Sequence, residues 1–248
     1  MRCAWEPHIF VVPLRANLIS MPTIFISGGS KGIGLAIARR FHQADYRVVI
    51  AARGEAALQA AAKALPGLRT HVCDMADKTA VQALAHTLNQ TYGPLDVLVN
   101  NAGVFRPGAI HEEADDAYEL MMRTNVDSAY YLTKGVLPLM LGQGRGTIVN
   151  LASIASQGAY PNGGSYSISK YALLGFSRNL RAELRPKGIR VVSILPGATW
   201  TDSWAGVDLP ESRLMPAEDI AELVWSSCRV SARTVVEEIV LRPQAGDL

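Results

Sequence analysis

The amino-acid sequence predicts a doubly wound α/β fold: one seven-stranded parallel sheet with helices on both faces. Two observations carry this. Short apolar, β-branched runs alternate with helical stretches from residue 23 to residue 241, and strands joined by crossover helices pair in parallel. The first run, Thr23–Ser27, opens straight into Gly28-Gly-Ser-Lys-Gly32-Ile-Gly34 and then a helical stretch, the strand–turn–helix form of a phosphate cradle.

Taken in order, Leu35–His42 is the helix after that turn, and Arg47–Ala52 is the second strand, completing a βαβ unit. The spacing Gly-x-x-x-Gly-x-Gly differs from the usual Gly-x-Gly-x-x-Gly, so the flanking strands and helix carry the inference. Gly28, Ser30, Lys31, Gly32, Ile33 and Gly34 are the candidates to meet a phosphate. At the end of the second strand an acid would take a ribose hydroxyl, whereas an arginine accommodates a 2′-phosphate. That position holds Arg53, with Lys31 as a second cation nearby, so NADP(H) is expected in preference to NAD(H).

Glu55–Leu65 is helical and stops at Pro66-Gly67; Leu68–Cys73 is the third strand. Asp74 at its end either touches an adenine or caps the helix that starts near Asp77. That helix runs to Tyr92, Gly93-Pro94 breaks it, and Leu95–Val99 is the fourth strand. It closes with Asn100-Asn101-Ala102-Gly103, which suits a wall against a flat cofactor or a plain turn. One helix is expected from Glu112 to Met140, with Asn125 as an inward-facing amide among Met121, Met122, Val126 and Ala129. Gly146–Ala152, Gly188–Leu195 and Val235–Leu241 are the last three strands, and Ser165–Arg185 and Pro216–Arg229 the last two helices. The count is seven strands and six helices.

Ser153 stands at the carboxyl end of the fifth strand, where open α/β sheets place their ligands. Beyond the Gly163-Gly164 break, Tyr166 and Lys170 fall four apart on one helix face. A tyrosine, with a reference pKa of about 10, is a poor acid or base near neutrality, and a cation beside it favours its phenolate. Lys170 is expected to supply that field. Ser153 would donate to a reacting carbonyl oxygen while Tyr166 gives or takes the proton. Tyr130 and Lys134 repeat the spacing, but no strand ending in serine precedes them, and they read as helix packing.

Composition narrows the partners. At 248 residues with no linker-like stretch, residues 21–248 read as one domain, and residues 1–20, which share no periodicity with the rest, as an extension or a start-site artefact. A net charge of +2 leaves no footprint for nucleic acid or an anionic membrane. No apolar run approaches the length that spans a bilayer. Cys3, Cys73 and Cys228 have neither metal-ligand spacing nor a disulfide pattern, so no metal and a reducing, cytoplasmic setting are expected.

The set Ser27-Gly28-x-x-x-Gly32-x-Gly34, Asp74, Asn100-Asn101-Ala102-Gly103, Asn125, Ser153, Tyr166-x-x-x-Lys170 and Pro196-Gly197-x-x-x-Thr201 resembles the short-chain dehydrogenase/reductase family, in its compact single-domain Rossmann branch. The resemblance covers Thr23 to about Val240, with Ser27 where the family usually has threonine. It implies a catalytic set of Asn125, Ser153, Tyr166 and Lys170, in which Lys170 also holds the nicotinamide ribose and Asn125 anchors a relay water. It implies that Asp74, Asn101, Ala102, Gly103, Pro196, Gly197, Thr199 and Thr201 line the cofactor, that the substrate is a ketone, aldehyde or secondary alcohol, and that the chain forms a homotetramer or dimer. Val104–Arg106, Ile154–Tyr160 and Trp200–Leu214 are candidate pocket walls, Trp200 and Trp204 being either a lid or surface packing. A non-catalytic dinucleotide sensor would not need all four catalytic side chains. An NAD-dependent epimerase or dehydratase would call for an acid at Arg53 and a larger substrate domain.

Overall fold

The computed structural model describes residues 21–159, 162–201, 204 and 206–247. Residues 1–20, Tyr160 at the end of one expected pocket wall, and positions 202, 203 and 205 of another lie outside the described residues. Seven strands form one sheet in the order β3-β2-β1-β4-β5-β6-β7, every neighbouring pair parallel. They are β1 (Thr23–Ser27), β2 (Arg47–Ala52), β3 (Arg69–Val72), β4 (Val97–Asn100), β5 (Gly146–Leu151), β6 (Ile189–Pro196) and β7 (Glu238–Leu241). Strand order reverses between β1 and β4, and in such sheets the crevice at that reversal is where ligands bind.

Alternate residues of each central strand serve opposite faces, and both faces are covered. Ile24, Ile26, Val48, Ile50, Val97 and Val99 pack with α1 (Gly32–His42), α2 (Glu55–Ala64) and α7 (Ala217–Arg229). Phe25, Val49, Ala51, Leu98 and Ile148 face α3 (Lys78–Tyr92), α5 (Ser128–Gln143) and α6 (Gly164–Leu184). Phe41, Tyr46 and Trp225 meet edge to face, with ring centroids 5.0 to 5.8 Å apart, and join α1 to α7. On the other face, Asn100 donates to Asn150 at 2.8 Å and to Thr133 of α5 at 2.9 Å, and Asn150 donates to Ser177 of α6 at 2.8 Å. This buried amide chain moors both helices to the sheet close to its carboxyl edge.

The structure corrects several expected boundaries. The outer strands are shorter than the apolar runs: β3 covers Arg69–Val72, with three of its four residues exposed, and β7 begins only at Glu238, where its register with Ser193 of β6 starts. The expected single helix from Glu112 to Met140 is instead α4 (Asp115–Met122), a π turn (Arg123–Asp127) and α5, so the described residues form seven α-helices. It starts later because the Ala109 carbonyl accepts from both Glu112 and Glu113 in a tight turn and Ala114 is extended. The π turn adds a residue to one helical turn, and Asn125 lies within it, fully buried.

Candidate active site

The glycine turn between β1 and α1 is built for close approach. Gly28 and Gly32 have φ of +65° and +52°, a region that favours glycine. A Cβ on Gly34 would come within 2.4 Å of the Gly28 carbonyl and 2.5 Å of the Asn101 amide, and one on Gly28 within 3.0 Å of Ala102. Lys31, the residue before α1, makes no side-chain cap on it, and the N–H groups of the first turn stand at the crevice. Thr201 stands opposite, its methyl 3.1 Å from where a Gly32 Cβ would lie. These features fit the pyrophosphate of a dinucleotide: a glycine backbone that comes close and a helix N-terminus beside it. Lys31 is the exposed residue that precedes α1, while Ser30 and Ile33 border the turn half-buried. Arg53 follows β2, exposed, with no side-chain hydrogen bond or ion pair among the described residues.

Several residues expected to touch a cofactor are engaged in shaping the crevice. Asn101 donates its amide to the carbonyls of Ser27 at 2.9 Å and Gly28 at 3.0 Å. The Ser27 hydroxyl accepts from the N–H groups of Asn101 and Ala102, both at 3.0 Å, lacing the ends of β1 and β4 together. Serine serves there as well as threonine because only the hydroxyl is used. Asp74 is exposed and accepts from Ala76 N at 2.9 Å, while the helix cap is Asp77, which accepts from Thr79 and Ala80. On the far side Gly197 donates to Leu241 at 2.8 Å, the buried Thr199 donates to the Gly197 carbonyl, and the Pro196 carbonyl receives the Ser153 hydroxyl at 3.4 Å.

Ser153, Tyr166 and Lys170 converge at the carboxyl ends of β4, β5 and β6. The Ser153 hydroxyl stands near enough to the Tyr166 phenol to bias its ionisation. Lys170 is 5% exposed, and its Nζ donates to the Leu151 carbonyl at 2.7 Å and lies 5.7 Å from the centre of the Tyr166 ring. Gly103 borders the ammonium: a Cβ there would lie 3.6 Å from Nζ. Burial pushes the Lys170 ammonium down to about 8. Burial also raises the Tyr166 phenol above its ordinary value, and the neighbouring Ser153 hydroxyl offsets part of that rise. This corrects the expectation that Lys170 would hold the phenol low. The ammonium is committed to a backbone carbonyl and is itself driven toward neutrality, so desolvation dominates at the phenol.

Asn125 clasps the strand extension beside this centre. Its Oδ1 accepts from Val104 N at 2.8 Å, and its Nδ2 donates to the Val104 carbonyl at 3.0 Å and to Ser169 Oγ at 2.9 Å. Both amide hydrogens are thereby used, so a relay water would have to be held by the backbone of Asn125 rather than by this N–H₂ group. Ser169 in turn donates to the Tyr166 carbonyl at 2.7 Å.

Of the expected walls, Phe105 reaches the centre: its ring lies 4.8 Å from that of Tyr166, at 69°. Arg106 turns away into a two-pronged pair with Asp116, both contacts 2.9 Å. Trp200 is largely on the surface, tied down through its N–H to the Met215 carbonyl. Sequence reasoning passed over Ser169, Glu113 and Gly29, whose Cβ would come within 2.6 Å of Ile50. For Gly29 and Ser169 the signals were present as the glycine doublet and the serines that alternate from Ser165 to Ser169. No group of His, Cys, Asp or Glu among the described residues is arranged to hold a metal.

A family model described as short chain dehydrogenase matches residues 22–211. A sepiapterin reductase of Chlorobaculum tepidum is 34% identical over 237 residues, covering 91% of this chain and 97% of its own. A metagenomic short-chain oxidoreductase solved in complex with NADP superposes with a TM-score of 0.80 at 29% identity, over 90% of this chain and 97% of that one. An alcohol dehydrogenase of Thermococcus sibiricus, solved with 5-hydroxy-NADP, reaches a TM-score of 0.83 at 26% identity over 90% and 97%. With Ser153, Tyr166 and Lys170 gathered at the carboxyl edge of the sheet, the chain belongs to the short-chain dehydrogenase family of oxidoreductases.

Proposed function

We propose that the protein is an NADP(H)-dependent carbonyl reductase working reversibly on a ketone or aldehyde and the corresponding alcohol, with Tyr166 as the acid and base. The observation that carries this reading is the convergence of Ser153 and Tyr166 with the buried Lys170, whose ammonium lies 5.7 Å from the centre of the Tyr166 ring. A bound nicotinamide would supply or accept the hydride at the carbonyl carbon. Ser153 donates to the substrate oxygen, and Tyr166 delivers its proton to that oxygen in reduction and recovers it in oxidation. Lys170 would hold the nicotinamide ribose, and its ammonium would stabilise the phenolate that reduction leaves behind. Asn125 keeps Val104 and Ser169 in place around them. Phe105 supplies a flat apolar wall beside the reacting oxygen.

Gly28, Gly32 and Gly34 would cradle the pyrophosphate with Thr201, and Arg53 and Lys31 would take the 2′-phosphate. Arg53 supports NADP(H) because it is exposed and uncommitted at the end of β2. The NADP carried by the two solved relatives points the same way. The free thiols of Cys73 and Cys228 agree with a reducing compartment, and no helix among the described residues is long and apolar enough to cross a membrane. We read the chain as a homodimer or homotetramer joined through the exposed Tyr130, Ile168 and Tyr171 of α5 and α6; a monomer mass by light scattering would exclude that assembly.

The test is oxidation of NADPH and of NADH against a panel of aromatic and aliphatic ketones and aldehydes, with Arg53→Asp alongside. Turnover with NADPH should exceed that with NADH, and Arg53→Asp should narrow the ratio by about tenfold or more, the weight of a lost charged contact to phosphate. Equal use of both cofactors by the unaltered protein would overturn the cofactor assignment. Cofactor binding without turnover of any carbonyl would overturn the reductase assignment.

A further inference from the structure

We infer that Glu113 is a positioning residue that sets the substrate side of Tyr166 by tying loop 104–113 to the first turn of α6. The inference rests on the reading of Tyr166 as proton donor. Glu113 lies in the acid-rich run His111-Glu-Glu-Ala-Asp-Asp116. Glu112, Asp115 and Asp116 of that run are exposed, and Asp116 pairs with Arg106. Glu113 turns inward instead. Its Oε1 accepts from the N–H of Ser165 at 2.9 Å, across 52 positions of sequence, and its Oε2 is buried with no hydrogen-bond partner among the described residues.

Gly163, the residue before α6, offers no side-chain cap. Glu113 therefore acts as a cap brought in from another segment, with a carboxylate at the positive end of the helix dipole. The join is tight. Gly164 has φ of +30°, and a Cβ on it would come within 2.3 Å of Glu113 Oε1 and 2.5 Å of the Gly108 carbonyl. Gly108 in turn donates to the Asn162 carbonyl at 3.1 Å, and its own Cβ would lie 2.9 Å from Glu113 Cγ. Three stretches of chain meet there with no space for a methyl group.

Tyr166 follows Ser165 directly, and the same loop lays the Phe105 ring against it. Loop 104–113 is thus held at its start by Asn125 on Val104, in its middle by Arg106 on Asp116, and at its end by Glu113 on the helix that carries Tyr166. A buried carboxylate oxygen without a partner is a stability cost. Fold stabilisation is therefore a poor account of this contact, and placement of Phe105 over Tyr166 is a better one.

The test compares Glu113→Leu, which keeps bulk and removes the buried charge, with Glu113→Gln, which keeps an acceptor for Ser165 N. The readouts are kcat and KM for a carbonyl that turns over, NADPH affinity by fluorescence titration, and hydrogen exchange across loop 104–113. Glu113→Leu should raise KM about five- to tenfold with kcat changed less than about threefold, the pattern of lost substrate positioning on the scale of one lost cap. NADPH affinity should hold, exchange should speed up in loop 104–113 while β4 stays protected, and Glu113→Gln should recover KM to within about threefold. Unchanged KM and unchanged exchange in Glu113→Leu would overturn the inference. So would a joint fall of kcat, NADPH affinity and protection throughout the protein, or a Glu113→Gln no better than Glu113→Leu. Exchange is read without turnover, so a protein that reduces no carbonyl refutes the reductase reading while the loop-tethering result is decided separately.

Discussion

Tyr130–Lys134 on α5 and Tyr166–Lys170 on α6 share a spacing, a helical backbone and the same face of the sheet. Their ammonium-to-ring distances are nearly equal, 5.8 and 5.7 Å. Everything else differs. Tyr130 is 44% exposed and leans on Tyr131 and Phe176, and Lys134 is exposed. Lys170 is buried against the Leu151 carbonyl, and Tyr166 stands beside Ser153 at the carboxyl edge of the sheet. Helix periodicity sets how far apart two side chains are; what covers them sets their chemistry.

The sharpest way to break that contrast is to remove each phenol. Tyr166→Phe should lower kcat/KM for carbonyl reduction by about 10²–10⁴, the range for a lost general acid, while Tyr130→Phe should stay within about twofold. Comparable losses in both would end the distinction between the pairs.

The lysines sharpen it next, with opposite effects on activity and stability. Lys170→Met should cut turnover about a hundredfold or more, as expected when a group next to the acid–base residue is lost, whereas Lys134→Met should leave it unchanged. In urea unfolding near neutral pH, Lys170→Met should be more stable than the unaltered protein by about 1–3 kcal/mol. Burial lowers the Lys170 value from 10.5 to about 8, so the unfolded chain holds that proton more tightly than the folded one. The penalty is complete below about pH 8 and fades as pH climbs toward 10.5, so the advantage of Lys170→Met should shrink over that window. An advantage independent of pH would show that the buried ammonium is not its source.

The smallest effect concerns the pH profile. A phenol held above its ordinary value by burial keeps its proton through neutrality. Carbonyl reduction should then stay flat from about pH 6 to about pH 8, while alcohol oxidation, which needs the phenolate, should climb with pH. Reduction that already declines below about pH 7 would show that the bound state depresses the phenol far more than the free protein does.

Much of the fold was legible because it is written in local periods. The central strands β1, β2 and β5 fall within a residue of the apolar runs that announced them, since both faces of the sheet are buried and the runs are continuous. Edge strands were harder: β3 and β7 extend only as far as one neighbour pairs with them. The break in the Glu112–Met140 stretch was invisible, because a π turn has no composition of its own and Arg123–Asp127 contains neither proline nor glycine to mark it. Within the site, Ser153, Tyr166 and Lys170 could be named from spacing and strand ends. The amide of Asn101 could not be assigned to Ser27 and Gly28, nor Glu113 to Ser165, because each bond joins segments 52 to 74 positions apart.

By itself, then, the sequence determined the alternation of strands and helices, the glycine turn at the first crossover, and the four-residue step that puts Tyr166 and Lys170 on one face. Tertiary structure alone decided that Lys170 is driven toward neutrality, that Tyr166 is raised rather than lowered, and that Phe105 and Glu113 reach the helix carrying the phenol. The reason is physical. A spacing is a property of one helix, whereas desolvation and partnership depend on which distant segments close over it, and at a buried charge those outweigh a cation held 5.7 Å away.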